Sequence, residues 1–388
     1  MKILSNILLC LFFGGVLFVV GGFCALFVVF SSGKVLYGYV VMAAFVGLFI
    51  YTIMMLYGFI NKKRLNYGLG IFMLICILTA SGYKISEVVE KNIPTVNDEI
   101  VDLNNYKPFK DDTKAVSLSE ASTLKLKDNL PRLDGATALY PLYSAFARAV
   151  YPEGDYEVYD GKVMCSTTDS AYRNLIEGNA DIIFAARPSN EQLEAAKAKG
   201  IELKLTPIGR EAFVFFVNSK NKVEGLTKEQ VQGIYSGQIT NWKEVGGKNE
   251  DIRAFQRPRN SGSQTMLEKF MERKKLMTPP SEDIVSMMGG IIKKTSDYKN
   301  YKNSIGYSFL YYATEMVKNN QIRLIKIDGV YPSRETIRNG QYPLSAEFYA
   351  VTAGSTNPNV QPFINWILGN QGEYLIEKTG YTSMNSGK

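Results

Sequence analysis

The chain has 388 residues, with 44 Lys and Arg, 37 Asp and Glu, four Cys and no His, a length that accommodates two or three domains. Without histidine there is no Ser-His-Asp triad, no HExxH metal helix and no histidine general base, and four cysteines with no C-x-x-C pair leave no zinc ribbon or finger. Residues 1–84 hold Lys2, Lys34, Lys62, Lys63, Arg64 and Lys84 and no acid, so +6 of the total +7 lies there, and the other 304 residues carry 38 basic against 37 acidic side chains. That near-neutral remainder argues against a nucleic-acid partner.

Three uncharged apolar runs open the chain: Ile3–Phe30, Val35–Ile60 and Leu65–Tyr83. Each is close to or above the ~20 residues that cross a bilayer core. The turn Asn61-Lys62-Lys63-Arg64 separates the second and third, and positive charge marks the cytoplasmic side. The N-terminus is then inside, and everything after about residue 84 is outside. The first run is roughly twice the 7–15 apolar residues of a cleaved signal peptide and no clear A-x-A site follows, so it reads as an anchor in the lipid bilayer. The spans contain no Asp, Glu, Lys or Arg, so they advertise no proton or ion path. Gly14-Gly15 and Gly21-Gly22 permit close helix packing.

Residues 85–129 are polar, of mixed charge and interrupted by Pro94 and Pro108. The first ten prolong the third helix, and the rest reads as an extracytoplasmic spacer. From Leu130 onwards strand and helix patterns alternate. Strands are expected at Glu157–Cys165, Asp181–Ala186, Ala212–Val217 and Glu347–Thr352. Helices are expected at Pro141–Val150, Asp169–Glu177, Glu191–Lys199 closed by Gly200, Thr227–Ser236 begun by a Thr cap with Gln230 at its third position, Thr265–Glu272, Val360–Leu368 and Glu373–Thr379. The alternation implies an α/β fold with mostly parallel sheets. Trp242, Trp366 and the lone extracytoplasmic Cys165 read as core residues, and Tyr140 and Phe255 as core or cleft-wall residues.

Three stretches share one character, a Gly, Ser and Thr-rich turn after a strand and before a helix. They are Asp134-Gly135-Ala136-Thr137-Ala138-Leu139-Tyr140-Pro141, Cys165-Ser166-Thr167-Thr168-Asp169-Ser170, and Arg257-Pro258-Arg259-Asn260-Ser261-Gly262-Ser263-Gln264-Thr265. A helix start presents unpaired N–H donors and about half a positive charge. Hydroxyl residues there either cap the helix or donate to a bound anion, and glycine admits the anion close to the backbone. Arg257, four residues before Ser261, adds a bidentate partner for a tetrahedral oxyanion. Three such turns brought together would hold a dehydrated anion without any lysine patch.

These turns, together with Ala180 to Pro188, Thr206 to Val214, Ile234 to Trp242 and Tyr342-Pro343-Leu344-Ser345, resemble the phosphate-binding proteins of ABC transporters, in order over about 130–385. The resemblance implies a two-lobed type II periplasmic-binding-protein fold preceded by three transmembrane helices. It divides the chain into an anchor (1–84), a linker (85–129) and a binding domain (130–385), with one lobe at about 130–210 and 346–385 and the other at about 211–345. It implies phosphate contacts from Thr137 and Ala138, from Ser166 or Thr167, and from Arg257, Ser261, Gly262 and Ser263 in an Arg-x-x-x-Ser-Gly-Thr loop where Ser263 replaces the Thr. Arg187 stands where the best-known branch has a proton-accepting Asp, as in the Ser-Arg-Pro branch, and is a further ligand candidate. Arg259 replaces a commonly acidic residue.

The expected function is therefore a non-enzymatic, membrane-tethered receptor for phosphate or a related oxyanion, with ABC permease subunits of the same membrane as partners and no cofactor or metal. The competing reading is a sensory or adaptor module of the same fold that reports anion level to a membrane partner.

Overall fold

The computed structural model describes residues 2–91, 95–96, 101–278, 298–299, 302–316 and 321–385. The chain separates into two compact units, Met1–Ile93 and Pro94–Lys388.

The first unit is three helices, α1 (Lys2–Ser32), α2 (Val35–Tyr57) and α3 (Lys62–Lys91). Within them Asn6–Ser32, Val35–Tyr57 and Lys62–Ser86 are long and apolar enough to cross a membrane. Gly14 and Gly21 of α1 admit the rings of Phe49 and Phe45 of α2, whereas the sites of Gly15 and Gly22 face open space. One member of each glycine pair therefore serves the helix contact.

The second unit is built on strands β1 (Leu133–Gly135), β2 (Ile182–Ala185), β3 (Lys204–Asn218), β4 (Arg253–Ala254), β5 (Ser304–Phe309), β6 (Ile322–Leu324), β7 (Ser345–Thr352) and β8 (Thr382–Ser383). Their order is β1-β2-β7-β3-β5-β4, and β6 and β8 also pair with β3. Helices α4 (Tyr140–Val150), α5 (Thr168–Ile176), α6 (Asn190–Ala198), α7 (Lys228–Tyr235), α8 (Gly262–Met271), α9 (Arg334–Arg338), α10 (Val360–Ile367) and α11 (Asn370–Thr379) complete the unit. The Thr cap before α7 and its Gln230 form a reciprocal capping box as expected.

Two buried cores define two lobes. One gathers Leu133, Tyr143, Phe146, Phe184, Phe348, Phe363, Trp366 and Ile376, and the other Phe213, Phe215, Tyr235, Trp242, Leu267, Ile305 and Tyr342. The 15-residue β3 serves both. Its first half pairs with β7 and β8, from Lys204↔Thr352 to Arg210↔Thr382, and its second half pairs with β5, from Phe213↔Phe309 to Val217↔Ile305. The chain returns at Leu344, whose carbonyl accepts from Phe213 N (2.9 Å). At this crossing Glu211 is buried, and Tyr311 N–H donates to its Oε1. Burial pushes the Glu211 carboxyl up to about 8, opposed by that Tyr311 N–H. Nearby, Arg334 and Arg338 of α9 both reach Glu377 Oε2 of α11, at 2.7 and 2.8 Å.

Three expectations are corrected. The main sheet is largely antiparallel: only β1 with β2 and β4 with β5 run parallel, because those are the pairs joined through helical crossovers, while β3 and β7 traverse the lobe boundary in opposite directions. Glu157–Cys165 is no strand. It doubles back at Asp160-Gly161, Cys165 N donates to Val158 O (2.7 Å), and Val163 alone bridges Leu133. The stretch read as spacer is largely built into the first lobe. Leu103, Tyr106 and Leu126 join its core, Arg148 donates to Ala115 O (2.9 Å) and Thr123 N to Gln371 Oε1 (2.9 Å).

Candidate functional site

The three turns start from different elements; the first and second are joined through Cys165, and the second and third meet across the lobe boundary. The first leaves β1 at Gly135, where a Cβ would lie 2.4 Å from Phe184 O, so only glycine fits this approach of β1 to β2. Ala136 N donates to Phe184 O (2.8 Å), and a single 3₁₀ turn, Thr137–Leu139, then feeds α4. Thr137 and Ala138 are half-buried there. Tyr381 OH donates to Ala138 O, which fixes the turn from the far end of the chain.

The second turn hangs on a carboxylate. Asp134 is fully buried. Its Oδ1 accepts from Gly135 N (2.7 Å) and Ser166 N (2.8 Å), and its Oδ2 accepts from Ser166 Oγ and from Asn174 Nδ2 (2.8 Å). Four donors satisfy the charge in place. Both polar donors of Ser166 therefore point into the lobe. Thr167, half-buried like Ser166, has φ at 76°, a left-handed conformation that β-branched residues avoid. It stands at the start of α5 without closing a side-chain cap bond, so its hydroxyl is not consumed by the helix. Of the two adjacent candidates, Ser166 supports the turn through Asp134, and Thr167 makes no side-chain cap bond to α5.

The third turn precedes α8. Arg257 N–H is shared between Gln264 Oε1 (3.0 Å) and Tyr307 OH (2.8 Å), and Tyr307 in turn donates to Gln264 Oε1. Asn260 adopts φ of 63°. Ser261 accepts from Gln264 N (3.3 Å) as the helix cap, so α8 begins three residues before the expected Thr265. Gly262 is buried and Ser263 half-buried in its first turn.

The turns are in contact across the lobes. A Cβ placed on Gly262 would lie 3.2 Å from Thr168 Oγ1 and 3.8 Å from Ala186 Cβ. The start of α8 in the second lobe thus abuts the start of α5 and the end of β2 in the first. Cys165 links the first two turns, its Sγ 3.7 Å from Gly135 O and 4.0 Å from Thr137 Oγ1. Burial raises its thiol to about 12, which makes it a packing group rather than a nucleophile.

Arg187 follows Ala186 directly and is exposed. It donates to Tyr349 OH (2.9 Å) and lies over the Tyr349 ring at 5.4 Å, and Tyr349 OH donates to Glu347 Oε2 (2.7 Å). Arg259 is exposed on the third turn. Tyr140 and Phe255 are buried, as are Trp242 and Trp366. Among the described residues no group of His, Cys, Asp and Glu is arranged to hold a metal ion. Sequence reasoning missed Asp134 as the support of the second turn, Thr168 as the group opposite Gly262, and Asn260. All three stand inside the quoted motifs, but only the fold reveals their partners.

Two lobes sharing one sheet strand, with helix starts facing across their boundary, define the class of two-lobed α/β binding domains. The chain belongs to the PBP superfamily domain family, whose model matches residues 128–371. It is 26% identical over 239 residues to the phosphate-binding protein PstS of Bacillus subtilis, covering 61% of this chain and 74% of that one. It is 27% identical over 185 residues to the phosphate-binding protein PstS of Borreliella burgdorferi, covering 46% of this chain and 65% of that one. An ABC-type phosphate transport receptor from Vibrio cholerae aligns with a TM-score of 0.47 at 22% identity, over 64% of this chain and 98% of that one.

Proposed function

We propose that this protein is a membrane-tethered, extracytoplasmic receptor that closes its two lobes on inorganic phosphate, or a closely related tetrahedral oxyanion, and delivers it to an ABC permease in the same membrane. The observation that carries this reading is the meeting of the α5 and α8 starts, with Thr168 Oγ1 and Gly262 in contact distance across the lobes. Relatives named as phosphate-binding proteins supply the ligand class.

On this reading Thr137 and Ala138 offer donors from the first turn, Thr167 from the second, and Ser261, Gly262 and Ser263 from the third. Arg257 supplies the fixed charge. Ser166 acts through the turn it holds on Asp134. Arg187 stands at the rim, where its charge attracts the anion without desolvation. The hinge runs through Arg210–Ala212 and Leu344–Ala346, so closure bends β3 and β7 together. The three spans hold the receptor at the membrane, with Lys62, Lys63 and Arg64 on the cytoplasmic side. No covalent chemistry is involved.

The test is calorimetric titration of phosphate into the full chain in detergent, with sulfate, arsenate and a dicarboxylate as competitors. Binding that only arsenate displaces supports the reading. No heat with any oxyanion would remove the receptor role.

A further inference from the structure

On the first-lobe side, α6 begins at a capping box in which Ser189 Oγ accepts from Gln192 N (3.1 Å) and Gln192 Oε1 accepts from Ser189 N (3.0 Å). Both residues are buried. Both box residues belong to the first lobe, yet both reach a residue of the Arg257–Thr265 loop of the second. Ser189 Oγ donates to Asn260 Oδ1 (2.8 Å), and Gln192 Nε2 donates to Asn260 O (3.4 Å) as well as to Asp169 Oδ1 (3.3 Å). Asn260 Nδ2 donates to Glu191 Oε2 (3.0 Å). The amide orientation is fixed by chemistry, because an ionised carboxylate only accepts and so must face the NH₂ group.

The position of Asn260 gives these bonds their meaning. It lies between Arg257 and Ser261, and its left-handed φ of 63° is one that Asn tolerates better than most side chains. Its side chain and carbonyl all engage the opposite lobe. Separation of the lobes must break every one of these bonds, while each lobe's own core stays intact.

We propose that Asn260 and the first turn of α6, through Ser189, Glu191 and Gln192, form a clasp that holds the two lobes closed over the anion loop and sets how long the closed state lasts. The proposal rests on the reading of the domain as a hinged receptor, and it adds that the closed state is favoured by protein–protein contacts as well as by the anion. A pre-biased closed state raises affinity, because less of the binding energy is used to shift the population.

The experiment uses the full chain with its four cysteines replaced by alanine and spin labels at Glu194→Cys and Lys243→Cys, exposed positions on the first and second lobes. Pulsed inter-label distances are recorded without anion and with phosphate, for the parent, Asn260→Gly and Glu191→Ala. Glycine keeps the left-handed backbone. Glu191 lies outside the anion loop, so its variant leaves that loop's sequence untouched. The clasp requires that Asn260→Gly broaden the anion-free distribution toward longer distances and speed phosphate release about tenfold, with little change in association rate. Glu191→Ala shifts both in the same direction by less, and adding it to Asn260→Gly has no further effect. An anion-free distribution unchanged by Asn260→Gly, or full additivity of the two variants, overturns the clasp. Phosphate titration of the parent is read separately. A widened distribution without phosphate binding retires the ligand and keeps the clasp, and phosphate binding with an unchanged distribution does the reverse.

Discussion

Gly262 and Thr168 belong to different lobes, and a Cβ on the glycine would stand 3.2 Å from the threonine hydroxyl. The approach is tight enough that a side chain at 262 requires Thr168 or the lobe boundary to give by a few tenths of an ångström. The position is also the first of α8, where alanine costs a helix nothing. Gly262→Ala is therefore expected to leave the melting temperature unchanged or slightly higher while weakening phosphate binding by at least tenfold. Calorimetry beside a thermal melt decides it, and equal affinity would show that the closed approach has no part in binding.

Arg257 and Arg187 should separate by location. Arg257 sits in the third turn with its backbone pinned by Gln264 and Tyr307, whereas Arg187 is exposed and already engaged with Tyr349. Arg257→Ala is expected to reduce affinity by about a hundredfold or more, the scale of a lost charged hydrogen-bond pair. Arg187→Ala should cost less than about tenfold, mostly in the association rate and most visibly at low salt. Stopped-flow binding at two ionic strengths checks both.

Asp134 supports the second turn through four donors. Asp134→Asn places an NH₂ group among donors and leaves buried groups unpaired. A loss of about 2–3 kcal/mol in urea unfolding is expected, together with loss of anion affinity, since Thr167 holds its left-handed φ only while Ser166 is anchored. Ser166→Ala should give the same pattern at smaller amplitude, and an intact affinity in that variant would detach Thr167 from the site.

Glu211 carries a pH dependence. Its carboxyl titrates near 4.5 unfolded and about 8 in the fold, so it is protonated in both states at low pH. As pH rises above the unfolded value, the unfolded chain releases the proton while the folded chain keeps it. Stability therefore falls, by about 1.4 kcal/mol per pH unit at most, and levels off above about pH 8. Glu211→Gln keeps an acceptor for Tyr311 N–H and removes the titration. Denaturant midpoints measured from pH 5 to pH 9 should fall in the parent and lie flatter in the variant; parallel profiles would exclude Glu211 as the source.

Much of this molecule can be read from residue order. The three apolar runs became α1, α2 and α3 because length and composition suffice for a helix in lipid. The α7 start followed from Thr227 with Gln230 three positions on, whereas the Ser189 and Gln192 box that opens α6 was not read from the sequence. Strand direction was not legible. β3 and β7 look like ordinary buried strands, and nothing local says that one strand is shared by two lobes in opposite partnerships. The supposed strand at 157–165 failed because Asp160-Gly161 outweighed an apolar pattern. The motif turns could be located, but which hydroxyl is tied into the fold depends on Asp134 and Asn174, forty residues apart. The contact of Asn260 with α6 spans about seventy residues and has no local signature at all.

The lobe layout also orders the birth of the protein. The second lobe is drawn from one continuous interval between Ala212 and Leu344, whereas the first lobe cannot close its core until Phe363, Trp366 and Ile376 join Phe146 and Tyr151. Thr123 waits 248 residues for Gln371. During synthesis at roughly 5–20 residues per second, the inserted lobe is complete while the lobe that frames it still lacks its last two helices. For a few seconds the apolar face of α4 is uncovered. Chain truncation or stalled synthesis short of α11 therefore yields a folded second lobe carrying an unfinished first one, a species whose fate is set by chaperones and proteases.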